Sequence, residues 1–192
     1  MLKSLVLSLV ASTQIIASGY SSNQAMIVAP ADPQDGLKTF CTPYDQGAVE
    51  SNYLSMINSA KKSIRVCAYG FTDPDVTSAL VAAHARGVDV AVIMDSTQAA
   101  GPHQVPMVDQ LRKAGIEVTI GKSAVHSQLI HAKFTVVDNL YTESGSWNYS
   151  GGTASAQDNT VDFVVSESRA QILSDFWTKI RAHILTTKGA SK

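Results

Sequence analysis

His131 and Lys133 stand two residues apart in the run from Leu129 to Ser150, LIHAKFTVVDNLYTESGSWNYS. Side chains on a strand repeat with period two, so an imidazole and an ammonium would share one face there. Phe134, Val136 and Val137 supply the apolar residues of such a strand, and Asp138-Asn139 reads as a two-residue hairpin turn. Counting outward from that turn sets Val137 opposite Leu140, Thr135 opposite Thr142, Lys133 opposite Ser144 and His131 opposite Ser146, with Asn148 continuing the same face. Ala132, Phe134, Val136, Tyr141 and Trp147 form the other, core-facing side. Glu143 falls with them, away from His131, unless a bulge shifts the register. Lysine and asparagine donors among hydroxyls suit a phosphoryl group, whose charge is spread over several oxygens. An imidazole beside it can attack phosphorus or move protons. A lone histidine is more often structural; the company His131 keeps is what points to chemistry.

These residues need a scaffold, and the chain offers alternating strands and helices. Lys38 to Thr42 reads as a short strand, Gly47 to Ala60 as a helix and Ser63 to Phe71 as a buried strand. Asp73-Pro74 is the cap and first turn of a helix that stops at Gly87. Val88 to Met94 is a second buried strand, Pro106 to Ala114 a helix ended by Gly115, and Ile116 to Ile120 a third strand. Ser168 to Leu185 closes the chain as an amphipathic helix with Ile172, Leu173, Phe176, Trp177, Ile180 and Ile184 on its apolar side. Such alternation predicts an α/β sandwich with a mixed, largely parallel sheet flanked by helices. No internal repeat or linker marks a second domain, so residues 38–188 are expected to form one catalytic domain.

Composition limits the function classes. The chain has 192 residues, 45% hydrophobic and 16% charged, enough apolar content for one packed domain. Met1-Leu2-Lys3, the apolar run from Leu5 to Ile16 and the small residues Ala17-Ser18-Gly19 form the pattern of a cleaved secretory signal, residues 1–19. The run is short and polar-diluted for a membrane span. A flexible leader, residues 20–37, would follow, and the mature protein would be periplasmic or secreted. Removing the first 19 residues takes one lysine and no acid, leaving 14 basic against 16 acidic residues, a net charge of −2. That balance gives no support to a general electrostatic binder of nucleic acid. Cys67 reads as a buried thiol, and its pairing with Cys41 stays open. No CxxC, paired-histidine or acidic-loop pattern suggests a metal site, and no cofactor is expected.

The motif His131-x-Lys133-x4-Asp138-x6-Gly145-Ser146-x-Asn148 resembles the HKD signature of the phospholipase D superfamily. Together with INSAKKSIRVCAYGF (Ile57 to Phe71), Ala79 to Asp95 and Gly145 to Tyr149, it is similar to the small single-motif bacterial endonucleases of the Nuc type. The likeness runs from about Lys38 to Arg181. It implies His131 as a nucleophile that forms a phosphohistidine, Lys133 and Asn148 as phosphate ligands, and Ser146 as a residue of the same pocket. The signature also places Asp138 in the catalytic set. Seven residues of strand span about 23 Å, however, so a carboxylate at the hairpin tip cannot reach His131, and its reading from the residues is structural. The family often orients the imidazole with a glutamate just before an asparagine; here Asp158-Asn159 takes that place, one methylene shorter.

The family mechanism needs an attacking and a protonating imidazole. His84 and His183 fall in expected helices and read as structural or surface residues, His103 lies in a loop, and His126, five residues before His131, is the nearest rival. A homodimer that brings two copies of His131 together is the simplest supply. The resemblance thus implies a metal-independent phosphodiesterase with a nucleic acid substrate. A phospholipase D acting on phospholipid headgroups and a phosphate-binding module without catalysis are the alternatives.

Overall fold

The computed structural model describes residues 36–125, 128–151 and 157–189. The expected signal segment, most of the leader and His126 lie outside the described residues. In chain order the elements are β1 (Leu37–Thr42), α1 (Gln46–Ser59), β2 (Ser63–Ala68), α2 (Pro74–Ala85), β3 (Asp89–Asp95), α3 (Ser96–Ala99) and α4 (Val105–Lys113). They continue with β4 (Glu117–Gly121), β5 (Phe134–Val137), β6 (Tyr141–Gly145), β7 (Asn159–Val165) and α5 (Glu167–Gly189). The strands form one sheet in the order β1-β7-β6-β5-β2-β3-β4.

A mixed sheet with flanking helices is the expected class, but the expectation that it would be largely parallel is corrected. Only β2 with β3 and β3 with β4 run parallel. The other four neighbouring pairs are antiparallel. The parallel pairs are those joined by helical crossovers. Strand β5 instead enters antiparallel to β2, the turn after Val137 returns the chain as β6, and β7, which the sequence reading did not assign, closes the sheet against β1.

Helices α1, α2 and α4 cover one face, where Val49, Tyr53, Ile57, Leu80 and Leu111 pack with Ile64, Val66 and Val92. Asp73 caps α2 through bonds from the Asp75 and Val76 amides, Pro74 fills the first turn, and Gly87 at φ 89° leaves the helix as its position predicts. The other face belongs to α5, whose Trp177 and Ile184 pack with Cys67, Ile93, Phe134 and Val136. The Trp177 indole N–H donates to the Val66 carbonyl at 2.9 Å. The buried stripe of α5 is narrower than expected: Ala170, Trp177 and Ile184 recur every seven residues, while Ile172 and Phe176 are 68% and 46% exposed. Cys41 and Cys67 are free thiols, one exposed on β1 and one buried on β2, so the pairing left open does not form. Burial pushes the Cys67 thiol up to about 12.

The hairpin departs from expectation by one residue. Asp138 and Asn139 both take φ 54°, and the Leu140 N–H returns to the Val137 carbonyl at 3.1 Å, as a two-residue turn requires. Pairing then resumes with Val137 opposite Tyr141 and Thr135 opposite Glu143, leaving Leu140 as an extra residue. Contacts on both flanks hold it: the Asp138 N–H donates to Ser63 and the Leu140 carbonyl accepts from Ser166. A one-residue slip flips every side chain of β6. Glu143 therefore joins Thr135 on the α1 side, and Ser144 turns to α5, where Arg169 donates to its hydroxyl at 2.7 Å. The expected pairing of Lys133 with Ser144 is corrected accordingly. Trp147, expected on the opposite face from Lys133, packs with Tyr53 and Tyr149 under α1, while Tyr141 is 38% exposed.

Candidate active site

Strands β2 and β3 end side by side, and the chain just beyond them meets the segment that leads into β5 and the one that leaves β6. Ligand sites in open α/β sheets favour this end. Asp95, the last residue of β3, is fully buried, and its Oδ2 accepts from the Ile130 N–H at 2.8 Å. That bond pins the residue before His131. His131 itself precedes β5 and is exposed, its ring 4.6 Å from the Tyr69 ring between centroids. Lys133 is 6% exposed. Its Nζ donates to the His131 carbonyl at 2.7 Å and lies 4.9 Å above the Tyr69 ring centre. Burial lowers its pKa from the ordinary lysine value. Tyr69 is held in turn: Gln98 donates to its hydroxyl at 3.0 Å, and Gln104 bridges the Gln98 carbonyl to the Phe71 amide.

Asn148 reaches the same place from the other side. Its Oδ1 accepts from the Gly70 N–H at 3.1 Å, which assigns the amide oxygen and leaves the Nδ2 N–H₂ as the donor end. Below it, Tyr149 donates to Glu143 Oε2 at 2.8 Å and shares a 3.0 Å bond with Thr135, which meets Tyr53 at 2.8 Å. Glu143 is fully buried, and burial pushes its carboxyl up to about 8. The cluster thus offers an exposed imidazole, an ammonium and an amide N–H₂. It suits an anionic oxygen-rich group beside a nucleophile.

The remaining expected residues divide. Asp138 sits at the hairpin tip and accepts from the backbone amides of Lys61, Lys62 and Ser63 at 2.7–2.9 Å. Ser63 begins β2 and Tyr69 follows its end, so Asp138 stands a full strand away from His131. Its place in the catalytic set is corrected to a structural one. Burial pushes its carboxyl up, but the three amides outweigh it and hold the group below the ordinary aspartate range. Ser146 is exposed; it donates its N–H to the Thr160 carbonyl and accepts from the Thr160 amide at 3.2 Å. Ser146 and Asp158 share a shallow depression with Cys41, Thr42, Tyr44, Asn159 and Thr160. Asp158 makes no hydrogen bond to His131 among the described residues.

His183, expected to be a structural or surface residue of the last helix, lines a cavity of about 240 Å³ together with His131, Leu129, Ile130, Phe176, Lys179 and Ile180. Sequence reasoning missed Tyr69, Asp95 and Glu143. For Asp95 a signal existed, since an aspartate closing an apolar run before Ser96-Thr97 is a helix cap. Tyr69 carried none beyond its place at a strand end.

Fold and site together define a class, an α/β domain with an imidazole, an ammonium and an amide gathered at one end of a mixed sheet. Residues 53–182 match the family described as "Cardiolipin synthase, PLD-like domain". The chain belongs to this phospholipase D-like phosphodiesterase family. It is 31% identical over 111 residues to the mitochondrial cardiolipin hydrolase of Chlamydomonas reinhardtii, covering 58% of this chain and 48% of that one. It is 30% identical over 120 residues to a phospholipase D of Rickettsia bellii, covering 62% and 56%. The chain spans about half the length of the curated relatives it matches. Among solved structures, Nuc of Salmonella typhimurium, a phospholipase D family member, superposes with TM-score 0.67 at 31% identity over 77% of this chain and 94% of that one. NucT of Helicobacter pylori shares the fold with TM-score 0.70 at 19% identity, over 77% and 96%.

Proposed function

We propose that the protein is a metal-independent phosphodiesterase, an exported endonuclease that cleaves DNA or RNA through a phosphohistidine at His131. The observation that carries this reading is the exposed His131 imidazole beside the buried Lys133 ammonium, with the Asn148 amide anchored on Gly70 nearby. A His131 nitrogen bonds to phosphorus as the bond to the leaving oxygen breaks, and a second imidazole protonates that oxygen. The same imidazole then takes a proton from water, whose oxygen displaces His131 and leaves a phosphomonoester. Lys133 and Asn148 stabilise the charge that gathers on the phosphoryl oxygens.

The second imidazole is assigned to a second copy of the chain, in a homodimer with one composite site. His131 is exposed, as such a pairing requires. Exchange of excess His131→Ala chains into wild-type dimers then lowers activity well below that of the same wild-type amount alone. Activity proportional to the wild-type chains present, with exchange verified by a tag, would turn attention to His183.

One observation favours a second reading, hydrolysis of phospholipids: the cavity against His131 is lined mainly by apolar residues, and several relatives are named for lipid substrates. The deciding experiment incubates purified protein in excess EDTA with plasmid DNA, RNA and vesicles of phosphatidylcholine and cardiolipin. Nucleic acid cleavage supports the first reading, lipid hydrolysis alone replaces it with the second, and phosphate binding without hydrolysis leaves only a binding module.

A further inference from the structure

Three carboxylates outside the His131 cluster converge where α1 passes the start of α2. Glu50, Asp73 and Asp75 each offer an oxygen, and these oxygens lie within 4.8 Å of one another. Asp73 is 1% exposed. Its Oδ1 is committed to the α2 cap, accepting from the Asp75 and Val76 amides at 2.8 and 3.1 Å. Its Oδ2 is buried and has no hydrogen-bond partner among the described residues. A buried carboxylate oxygen in that condition is costly unless something positive meets it. No lysine or arginine does so: the ion pairs among the described residues are Arg65 with Asp89 and Arg181 with Glu117. Burial and the charges of Asp73 and Asp75 raise the Glu50 carboxyl, the mark of acids crowded together. Gly151 passes close to this oxygen, and a Cβ there would lie 3.0 Å from Oδ2, so a larger residue would crowd it.

We propose that Glu50, Asp73 and Asp75 bind a hard divalent cation, calcium or magnesium, which ties α1 to the start of α2. The donors are all oxygens, with no thiolate or imidazole among them, which selects this class over zinc or copper. Such a cation would answer the free Asp73 oxygen and cancel the repulsion among the three acids. It would also brace the neighbouring segment, since the Thr72 and Asp73 amides both donate to the Tyr149 carbonyl, at 2.8 and 3.1 Å, one residue past Asn148. The role is structural and takes no part in phosphoryl transfer, so it stands or falls apart from the proposed activity.

The test uses purified protein freed of metal, titrated by calorimetry with calcium chloride and then magnesium chloride, with melting curves against sodium chloride of equal ionic strength. Saturable binding is expected with a dissociation constant of about 10⁻³ M or tighter, with a rise in melting temperature beyond that in sodium chloride. Glu50→Gln and Asp75→Asn leave the Asp73 cap in place, and each should weaken binding roughly tenfold or more. Without cation, both variants should melt at or above the wild type, because a like charge has been removed. Absence of saturable binding, or variants that bind like the wild type, overturns the proposal.

Discussion

Glu143 is the residue whose replacement tests the reading of the hairpin most directly. The one-residue slip carries its carboxyl into the core beside Tyr149, where burial holds it at about 8 against an ordinary value near 4.5. The folded protein therefore keeps a proton that the unfolded chain gives up. Stability from this group is complete below pH 4.5 and is lost as pH rises toward 8. Each tenfold change in proton affinity corresponds to about 1.4 kcal/mol. Between pH 5 and pH 8 the wild type should then lose about 3–4 kcal/mol through Glu143 alone. Glu143→Gln keeps an oxygen to accept from Tyr149 and has no proton to lose. Any fixed cost of the amide is the same at every pH, so the comparison rests on slopes. Denaturant unfolding followed by the fluorescence of Trp147 and Trp177, repeated from pH 5 to 8, measures both. The wild-type midpoint should fall with pH while the variant stays level or falls far less. Parallel lines would show that the carboxyl titrates normally, and the burial argument would fail.

Other outcomes follow from the site. His131→Ala should abolish phosphodiester cleavage with a melting temperature close to wild type, because the side chain is exposed; kinetics beside melting curves check both halves. Asp138→Asn should cost about 1.5–3 kcal/mol of stability, through weakened bonds to the Lys61, Lys62 and Ser63 amides, while the folded fraction stays active. Because the Asp138 carboxyl is held low, its contribution should fade as pH falls through its folded-state value. Asn148→Asp keeps the acceptor for Gly70 but turns an anion toward the substrate, so kcat/KM should fall about 10²-fold or more with the fold intact. Cleavage by the wild type should persist in excess EDTA, measured well below the melting temperature.

The sequence made some of this visible because the signals were local. The Asp73-Pro74 cap, the stop at Gly87 and the left-handed pair Asp138-Asn139 are dictated by neighbouring residues, and the chain adopts each of them. The register of β6 was not visible, because the extra residue Leu140 is held by Ser166, far along the chain. Strand β7 alternates Val161 and Phe163 inward, but the Asp158-Asn159 pair drew the reading toward chemistry and away from its period of two. The predominantly antiparallel pairing depended on where that strand and the hairpin insert, which no local pattern states. Within the site, His131, Lys133 and Asn148 were legible from spacing. Tyr69, Asp95 and the Glu50, Asp73 and Asp75 group were not, since only the fold brings residues so separated in sequence into contact.

Two glycines set different limits on how this chain can drift. A methyl group at Gly145 would lie 2.0 Å from the Thr160 carbonyl oxygen, a backbone atom locked in the ladder between β6 and β7. At Gly70 the same methyl would lie 3.1 Å from the Asn148 Cβ, Cγ and Oδ1, a side chain able to turn aside. In a library of random variants sorted only for folding, position 145 should come back as glycine alone, whereas alanine at 70 should pass. Sorted for catalysis, position 70 should narrow too, because alanine there displaces the Asn148 amide. The glycine inside the signature thus guards the spacing of two strands, and the one outside it guards the seat of the Asn148 amide.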